Sequence, residues 1–331
     1  MLNDQLHLSH TLFSEDVQER ALRDGYGEGL LEAGHNDDNV VVLTADLKDS
    51  TRTDAFARQH PNRFFEVGVA EQNLATVAAG LGVSGKVPFI NSYAAFAPGR
   101  CWEQLRTTAC YNDANVKIAG HHSGISVGPD GATHQPVEDI ATMRVLSNMK
   151  VIVPCDAHQA RRATVAAAQM WGPVYIRLAR EKTPLITTKE TPFVPGKAQV
   201  LWESKKKRTD VVIVVAGTVT YEALKAAKQL DEKGVSSVVL NMHTIKPLDE
   251  KTLVRYAKRA GAVVTVEEHS IIGGLGGAVA EVLVQKAPVP QEFVGVQDTF
   301  GESGTMHQLW KKYHLIDKDI VLAAKKAIRR A

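Results

Sequence analysis

Asn39-Val40-Val41-Val42-Leu43-Thr44-Ala45 is an unbroken, largely β-branched apolar run of strand length. It has no polar face, so it reads as a strand covered on both sides, the habit of parallel sheets. Working outward, similar runs recur at 87–91, 116–119, 151–154 and 174–178. Helical patterns fall between them, at roughly 15–34, 70–82, 95–111 and 156–171. Strands alternating with helices predict a mostly parallel sheet between helical layers. A second series follows, with strands at 211–216, 237–240, 262–266 and 293–296. Its helices fall at 219–233, 249–260, 275–286, 304–313 and 318–329, and Asp317 is placed to cap the last of them. The predicted fold class is α/β: two three-layer α/β/α domains with mostly parallel sheets. The domains are drawn at 1–185 and 210–331. A linker at 186–209 joins them, with Pro192, Pro195 and the basic run Lys205-Lys206-Lys207-Arg208, read as a solvated edge.

A chain of 331 residues has room for two ordinary domains. Its net charge of +2 argues against a nucleic-acid or membrane partner. Cys101, Cys110 and Cys155 show no paired metal spacing, and an odd count fits a reducing cytosol. The first residues carry charges and no long apolar run, so no secretory segment or span is expected. The chain is thus expected to be cytoplasmic, with no structural metal of its own.

Within the first series, Gly68-Val69-Ala70-Glu71-Gln72-Asn73 opens an Ala-rich helix that should be deeply buried. A carboxylate at such a helix start is costly unless something pairs with it or accepts its proton. The plainer reading is a helix N-terminal carboxylate favoured by the macrodipole. Tyr93 and Phe96 follow the strand 87–91 and suit either a core or the wall of a flat heteroaromatic ring. The segment His121-His122-Ser123-Gly124-Ile125-Ser126-Val127-Gly128-Pro129-Asp130-Gly131-Ala132-Thr133-His134 is too rich in Gly and Pro for regular structure. It leaves a strand at its carboxyl end, where α/β sheets place ligands. His122, Asp130 and His134 can hydrogen-bond sugar hydroxyls or move protons near neutral pH. Arg180, Ser50 and Arg23 are candidate anion ligands. The run Gly273-Gly274-Leu275-Gly276-Gly277 lacks dinucleotide-binding spacing and is read as close helix packing.

Together these residues resemble the transketolase family, over essentially the whole chain. The match is to the C-terminal part of full-length enzymes: a pyrimidine-binding domain and a small C-terminal domain. Gly-Val-Ala-Glu71-Gln-Asn is similar to the segment that bears the pyrimidine-activating glutamate, and Ser92-Tyr93-Ala-Ala-Phe96 to the aromatic wall around the pyrimidine. Val127-Gly-Pro-Asp130-Gly-Ala-Thr-His134-Gln resembles the substrate loop, with His122 on its earlier histidine. Leu178-Ala-Arg180 and Ala45-Asp46-Leu47-Lys-Asp-Ser50 resemble phosphate-contacting segments, and a gap-free register puts Arg23 on a further phosphate arginine. Gly99 stands where many transketolases have a third aromatic, and Pro129 where the family is often acidic.

The resemblance implies a thiamine diphosphate-dependent transfer of a two-carbon glycolaldehyde unit from a ketose phosphate to an aldose phosphate. Glu71 would hydrogen-bond the pyrimidine ring nitrogen, with Tyr93, Phe96 and Asp46 as further coenzyme contacts. His122 and Asp130 would bind donor hydroxyls. His134, Arg180 and Ser50 would hold the distal phosphate, with Arg23 assisting, and proton transfer is the other reading of His134. The family's diphosphate motif, Gly-Asp-Gly followed some thirty residues later by Asn, has no counterpart; the nearest text is Pro129-Asp130-Gly131. The resemblance therefore implies a split enzyme. A separate N-terminal subunit would hold the diphosphate and its Mg2+ (or Ca2+), in an α2β2 heterotetramer, and the pyrimidine face would be an exposed apolar interface. The rival readings are the β subunit of a 2-oxoacid dehydrogenase E1 component and a non-catalytic assembly subunit of the same fold.

Overall fold

The computed structural model describes residues 1–206 and 208–331; Lys207, in the basic run, lies outside the described residues. Two sheets organise the chain. The first runs, in spatial order, Thr244–Lys246, Lys150–Ile152, Val174–Leu178, Lys117–His121, Val87–Tyr93, Val40–Thr44 and Phe64–Glu66. All neighbours are parallel except Thr244–Lys246, which pairs antiparallel with Lys150–Ile152. The second sheet runs Gln291–Val296, Val263–Ser270, Val211–Val215, Ser237–Asn241 and Gln199–Glu203, with only the last strand antiparallel. The central strands Val40–Thr44, Lys117–His121, Val174–Leu178 and Val211–Val215 are buried along their whole length, as two-sided burial of continuous apolar runs requires. The α/β fold of mostly parallel sheets is as predicted.

The pairing Tyr93↔His121↔Leu178 aligns the carboxyl ends of three adjacent strands. That edge carries the chemistry, because the 121–134 loop, Arg180 and the 94–101 turn all leave from it. The loop leans on the second half of the chain. Glu268 accepts from the Ser126 N–H at 2.5 Å and from the Thr218 hydroxyl at 3.0 Å, and Gln135 donates to the Glu302 carbonyl at 2.9 Å.

Several predicted elements need correction. Residues 94–101 form a tight turn and not the start of a helix; Pro98 lacks an N–H and Gly99 approaches backbone closely, so regular helix begins only at Trp102–Gln104 and passes into a wide π-type turn at Leu105–Cys110. Asp317 is the first residue inside Asp317–Arg329 and does not cap it; its carboxylate accepts from Gln229 Nε2 at 2.5 Å. The Glu71–Val83 helix buries only one face. Leu74, Ala75, Ala78, Ala79 and Gly82 point inward, while Asn73, Thr76, Val77, Gly80 and Val83 are exposed. The stretch 186–209 contains the edge strand Gln199–Glu203.

Candidate active site

Glu71 is the first residue of its helix and is 1% exposed. Its carboxylate is paired. Arg100 Nη1 donates to Oε2 at 3.0 Å, and the Ser92 hydroxyl lies 3.4 Å from Oε1. The aromatic side chains close one side. The rings of Tyr93 and Phe96 are 6.2 Å apart and inclined by 26°, both half-buried, and the Arg100 guanidinium lies 5.3 Å from the Phe96 centroid. Tyr93 ends its strand and Phe96 sits in the turn, whose Arg100 N–H donates back to the Phe96 carbonyl at 2.8 Å.

The two loop histidines have different surroundings. His122 is buried in the left-handed region (φ 54°), a conformation a non-glycine residue adopts at a cost of about 1–3 kcal/mol. Its ring stacks on Tyr93 at 4.0 Å and 27°. Burial, then the charges of Arg23, Arg180, His134 and Arg52, pull its pKa down to about 3, so the imidazole is neutral near pH 7. His134 is half-buried and sits edge-on to Phe96 at 5.4 Å and to Tyr93 at 6.4 Å; its Nδ1 pairs with the Thr133 hydroxyl at 2.9 Å. His121 turns the other way, with Nε2 3.4 Å from Asn91 Oδ1 and its ring edge-on to the buried Tyr26.

Anion-binding candidates meet beside His122. Arg180 donates to the Val127 carbonyl at 2.7 Å and lies 3.8 Å from Asp130, which is exposed. Arg23 Nη1 donates to the Ser50 carbonyl at 3.2 Å, which places Ser50 in the group, and its Nε is buried without a partner. Arg23 and Arg180 share a cavity of about 370 Å3 with Arg52, Lys182, Thr305 and His307, and with Glu19, Asp24 and Glu181; Asp24 pairs with Arg52 at 2.7 Å and Glu181 lies 3.4 Å from Arg180. A roomier cavity of about 670 Å3, walled by Trp102, Arg106, Tyr111 and Val145, lies away from Glu71 and the histidines and gathers no such charge; the smaller one is the better binding candidate. Asp46 stands apart. Its side chain is exposed in the left-handed region (φ 59°), and only its backbone N–H is engaged, by Glu66 Oε1 at 2.8 Å.

Sequence reasoning missed Arg100, Ser92, Arg52 and His307. Arg100 had a signal, since it follows Phe96 by four residues, one turn away. Arg52 and His307 had none, because the fold alone brings them to Arg23 and Arg180. The glycine run 273–277 packs closely, as read. Glu267 accepts from the N–H groups of Leu275 at 2.7 Å and Gly276 at 2.8 Å, so the protein's own carboxylate fills that helix N-terminus. A Cβ at Gly276 would lie 2.5 Å from the Phe293 ring.

Among the described residues, no three His, Cys, Asp or Glu side chains cluster to hold a metal, and no helix is long and apolar enough to cross a membrane. A carboxylate beneath a flat aromatic wall fits the aminopyrimidine half of thiamine diphosphate. Among the described residues, no comparable cluster of metal ligands fits its diphosphate and metal half.

Residues 18–185 match the model of the transketolase pyrimidine binding domain, and residues 197–320 that of the transketolase C-terminal domain. Over 304 residues the chain is 44% identical to a putative transketolase C-terminal section of Methanocaldococcus jannaschii, covering 91% of this chain and 94% of that protein. Over 318 residues it is 42% identical to a 6-deoxy-6-sulfo-D-fructose transketolase subunit of Clostridium sp. (strain MSTE9), covering 96% and 98%. A solved structure described as a split gene transketolase, inactive β4 tetramer, matches with a TM-score of 0.87 and 49% identity, covering 94% of this chain and 99% of that one. The class is therefore a two-domain protein that joins a pyrimidine-binding unit to a transketolase C-terminal unit. The chain belongs to the transketolase family, and its similarity runs the length of proteins described as separate C-terminal sections or subunits.

Proposed function

We propose that this chain is the pyrimidine-side subunit of a divided transketolase. With a separate N-terminal subunit it moves a two-carbon glycolaldehyde unit from a ketose phosphate to an aldose phosphate. The observation that carries this reading is the buried Glu71 carboxylate, joined through Arg100 to the Phe96 ring of the Tyr93–Phe96 wall, on which His122 stacks. Thiamine diphosphate, when bound, supplies the carbon acid that accepts the two-carbon unit. Glu71 holds a proton against the pyrimidine ring nitrogen, and Tyr93 and Phe96 orient the ring and exclude water from it. Asp46, exposed and turned from Glu71, has the weakest claim among the coenzyme contacts.

The arrangement favours a different division of labour between the histidines from the one the resemblance implied. Neutral His122, beside Arg23, Arg52 and Arg180, fits a hydrogen-bonding place in the sugar-phosphate clamp with Ser50. His134 stands edge-on to both rings of the pyrimidine wall, 5.4 Å from Phe96 and 6.4 Å from Tyr93, and fits proton handling at the reacting carbons. Asp130, tethered near Arg180, fits a donor hydroxyl. Binding at the remote anion can then serve the reacting centre. Sulfonate is a second reading of that anion, favoured by the similarity to the sulfofructose transketolase subunit.

The diphosphate and its Mg2+ (or Ca2+) are assigned mainly to the partner. The solved β4 tetramer described as inactive supports a chain that is silent alone, and an α2β2 complex in the cytoplasm is the working assembly. The exposed Asn73, Thr76, Val77, Gly80 and Val83 face of the Glu71 helix supplies a surface for such contacts. The test mixes the chain with its N-terminal partner, thiamine diphosphate and magnesium, and follows transfer from xylulose 5-phosphate against turnover of pyruvate. Glu71→Gln should lose most transfer while the complex still assembles; undiminished turnover overturns the assignment.

A further inference from the structure

Among the described residues the Glu71 carboxylate has one ionic partner, although Glu103, Arg106 and Cys110 lie on segments packed against its helix. Its own helix offers the neutral Gln72 and Asn73, and the strand Val87–Tyr93 offers the Ser92 hydroxyl at 3.4 Å. The 94–101 turn offers Arg100 and Cys101. The Cys101 thiol is pushed up to about 12 by burial and then by the Glu71 charge, so it stays protonated in the working range. Arg100 is therefore the ionic partner of a carboxylate that is 1% exposed, while its own side chain is 53% exposed and free to swing outward. Its position is fixed by Gly99. A Cβ there would lie 2.1 Å from the Ala95 carbonyl oxygen, so a larger residue at 99 would require this turn to shift, and the turn as it stands delivers the Arg100 guanidinium over the Phe96 ring at 5.3 Å. One side chain thus covers both the acid and the aromatic ring that the coenzyme's pyrimidine needs.

We propose that Arg100 is a positioning residue for Glu71: it holds the carboxylate as an ion pair until thiamine diphosphate arrives, then releases Oε2 to the pyrimidine nitrogen, which ties coenzyme entry to proton uptake. This rests on the Glu71 role proposed above. The balance is simple. Before binding, Glu71 is a carboxylate paired with Arg100. On binding, the guanidinium leaves Oε2 and one proton from solvent enters the hydrogen bond between that oxygen and the ring nitrogen. A buried carboxylate that loses the cation paired with it is costly, so a neutral residue at 100 removes the charged resting state from which the uptake starts.

The test is calorimetric titration of thiamine diphosphate into the magnesium-loaded complex of this chain with its N-terminal partner, at about pH 8, in two buffers of different ionisation enthalpy. The native complex should take up about one proton per coenzyme, and its apparent Kd should weaken about tenfold per pH unit as the pH rises. Arg100→Lys, which keeps the charge, should retain the uptake. Arg100→Gln, and independently Arg100→Met, should bring it toward zero and flatten the pH dependence. Native uptake and slope in both neutral variants would overturn the proposal. Failure of the underlying reading looks different: Glu71→Gln would then bind coenzyme and turn over sugar like the native protein, whatever Arg100 does.

Discussion

The His122 ring lies on the Tyr93 ring, 4.0 Å between centroids and 27° from parallel, so the polar loop is fastened to the end of the strand that also supplies the aromatic wall. Aromatic pairs of this kind contribute about 0.5–1.5 kcal/mol beyond the area they bury. Tyr93→Leu should therefore weaken coenzyme and sugar phosphate together, by about two- to tenfold each, while Tyr93→Phe leaves both near native. Parallel titrations of the two ligands check this.

Acid should destabilise the fold through buried neutral imidazoles. Burial holds His243 at about 4 and, with neighbouring cations, His122 at about 3, against an ordinary 6.5. Both folded values are depressed, so the unfolded chain binds the extra protons. The stability is fully present above pH 6.5 and is lost as pH falls toward 4 and then 3. By about pH 5 the loss is roughly 2 kcal/mol for each histidine. Melting temperature measured from about pH 7 to 5 should drop, and His243→Asn should shrink that drop.

Asp139 and Arg177 form a fully buried bidentate pair, with Nε to Oδ2 at 2.8 Å and Nη2 to Oδ1 at 3.1 Å, and the Tyr175 hydroxyl donates to the same carboxylate at 2.6 Å. Burial works against the Asp139 charge, but Arg177 outweighs it and holds the carboxyl below its usual value. Asp139→Ala leaves a guanidinium buried without its counter-charge and should cost about 3–5 kcal/mol. A fall of several degrees in melting temperature, absent in the exposed control Glu103→Ala, is the expected result.

Arg180→Leu removes a guanidinium from the anion cavity. A charged hydrogen bond is worth about 1.5–3 kcal/mol, which is about ten- to a hundredfold in binding. KM for a phosphorylated sugar should rise by that factor with kcat largely kept. Comparing sulfonated with phosphorylated sugars in the same variant shows which anion the cavity serves.

Val77 stands exposed on the outer face of the Glu71 helix. Val77→Asp should leave the melting temperature of the isolated chain within about 1 °C, since exposed substitutions are usually near neutral. It should weaken assembly with the partner, as read by sedimentation velocity.

How much of this was legible depends on whether the signal is local. The central strands could be read because they are continuous apolar runs, and Leu275–Lys286 matched its predicted span because glycines mark its start. Phe64–Glu66 and Thr244–Lys246 were missed because three residues carry no period. The half-exposed face of Glu71–Val83 was misjudged because Ala and Gly say little about burial. Glu71, Tyr93, Phe96 and the loop histidines were singled out from contiguous motifs. Arg52 and His307 could not be, since they reach the arginine cavity only through tertiary structure. The ion pair on Glu71 spans 29 residues and is equally invisible to a local reading.

The seventh strand of the first sheet, Thr244–Lys246, is lent by the second half of the chain, and Val153 N–H donates to the His243 carbonyl beside it at 2.7 Å. The two halves are therefore not interchangeable modules. A fragment truncated before residue 186 would leave Lys150–Ile152 as a raw margin of free N–H and C=O groups, a template for sticking to other chains. Grafting the pyrimidine-binding half onto a foreign partner would have to carry that three-residue hem along.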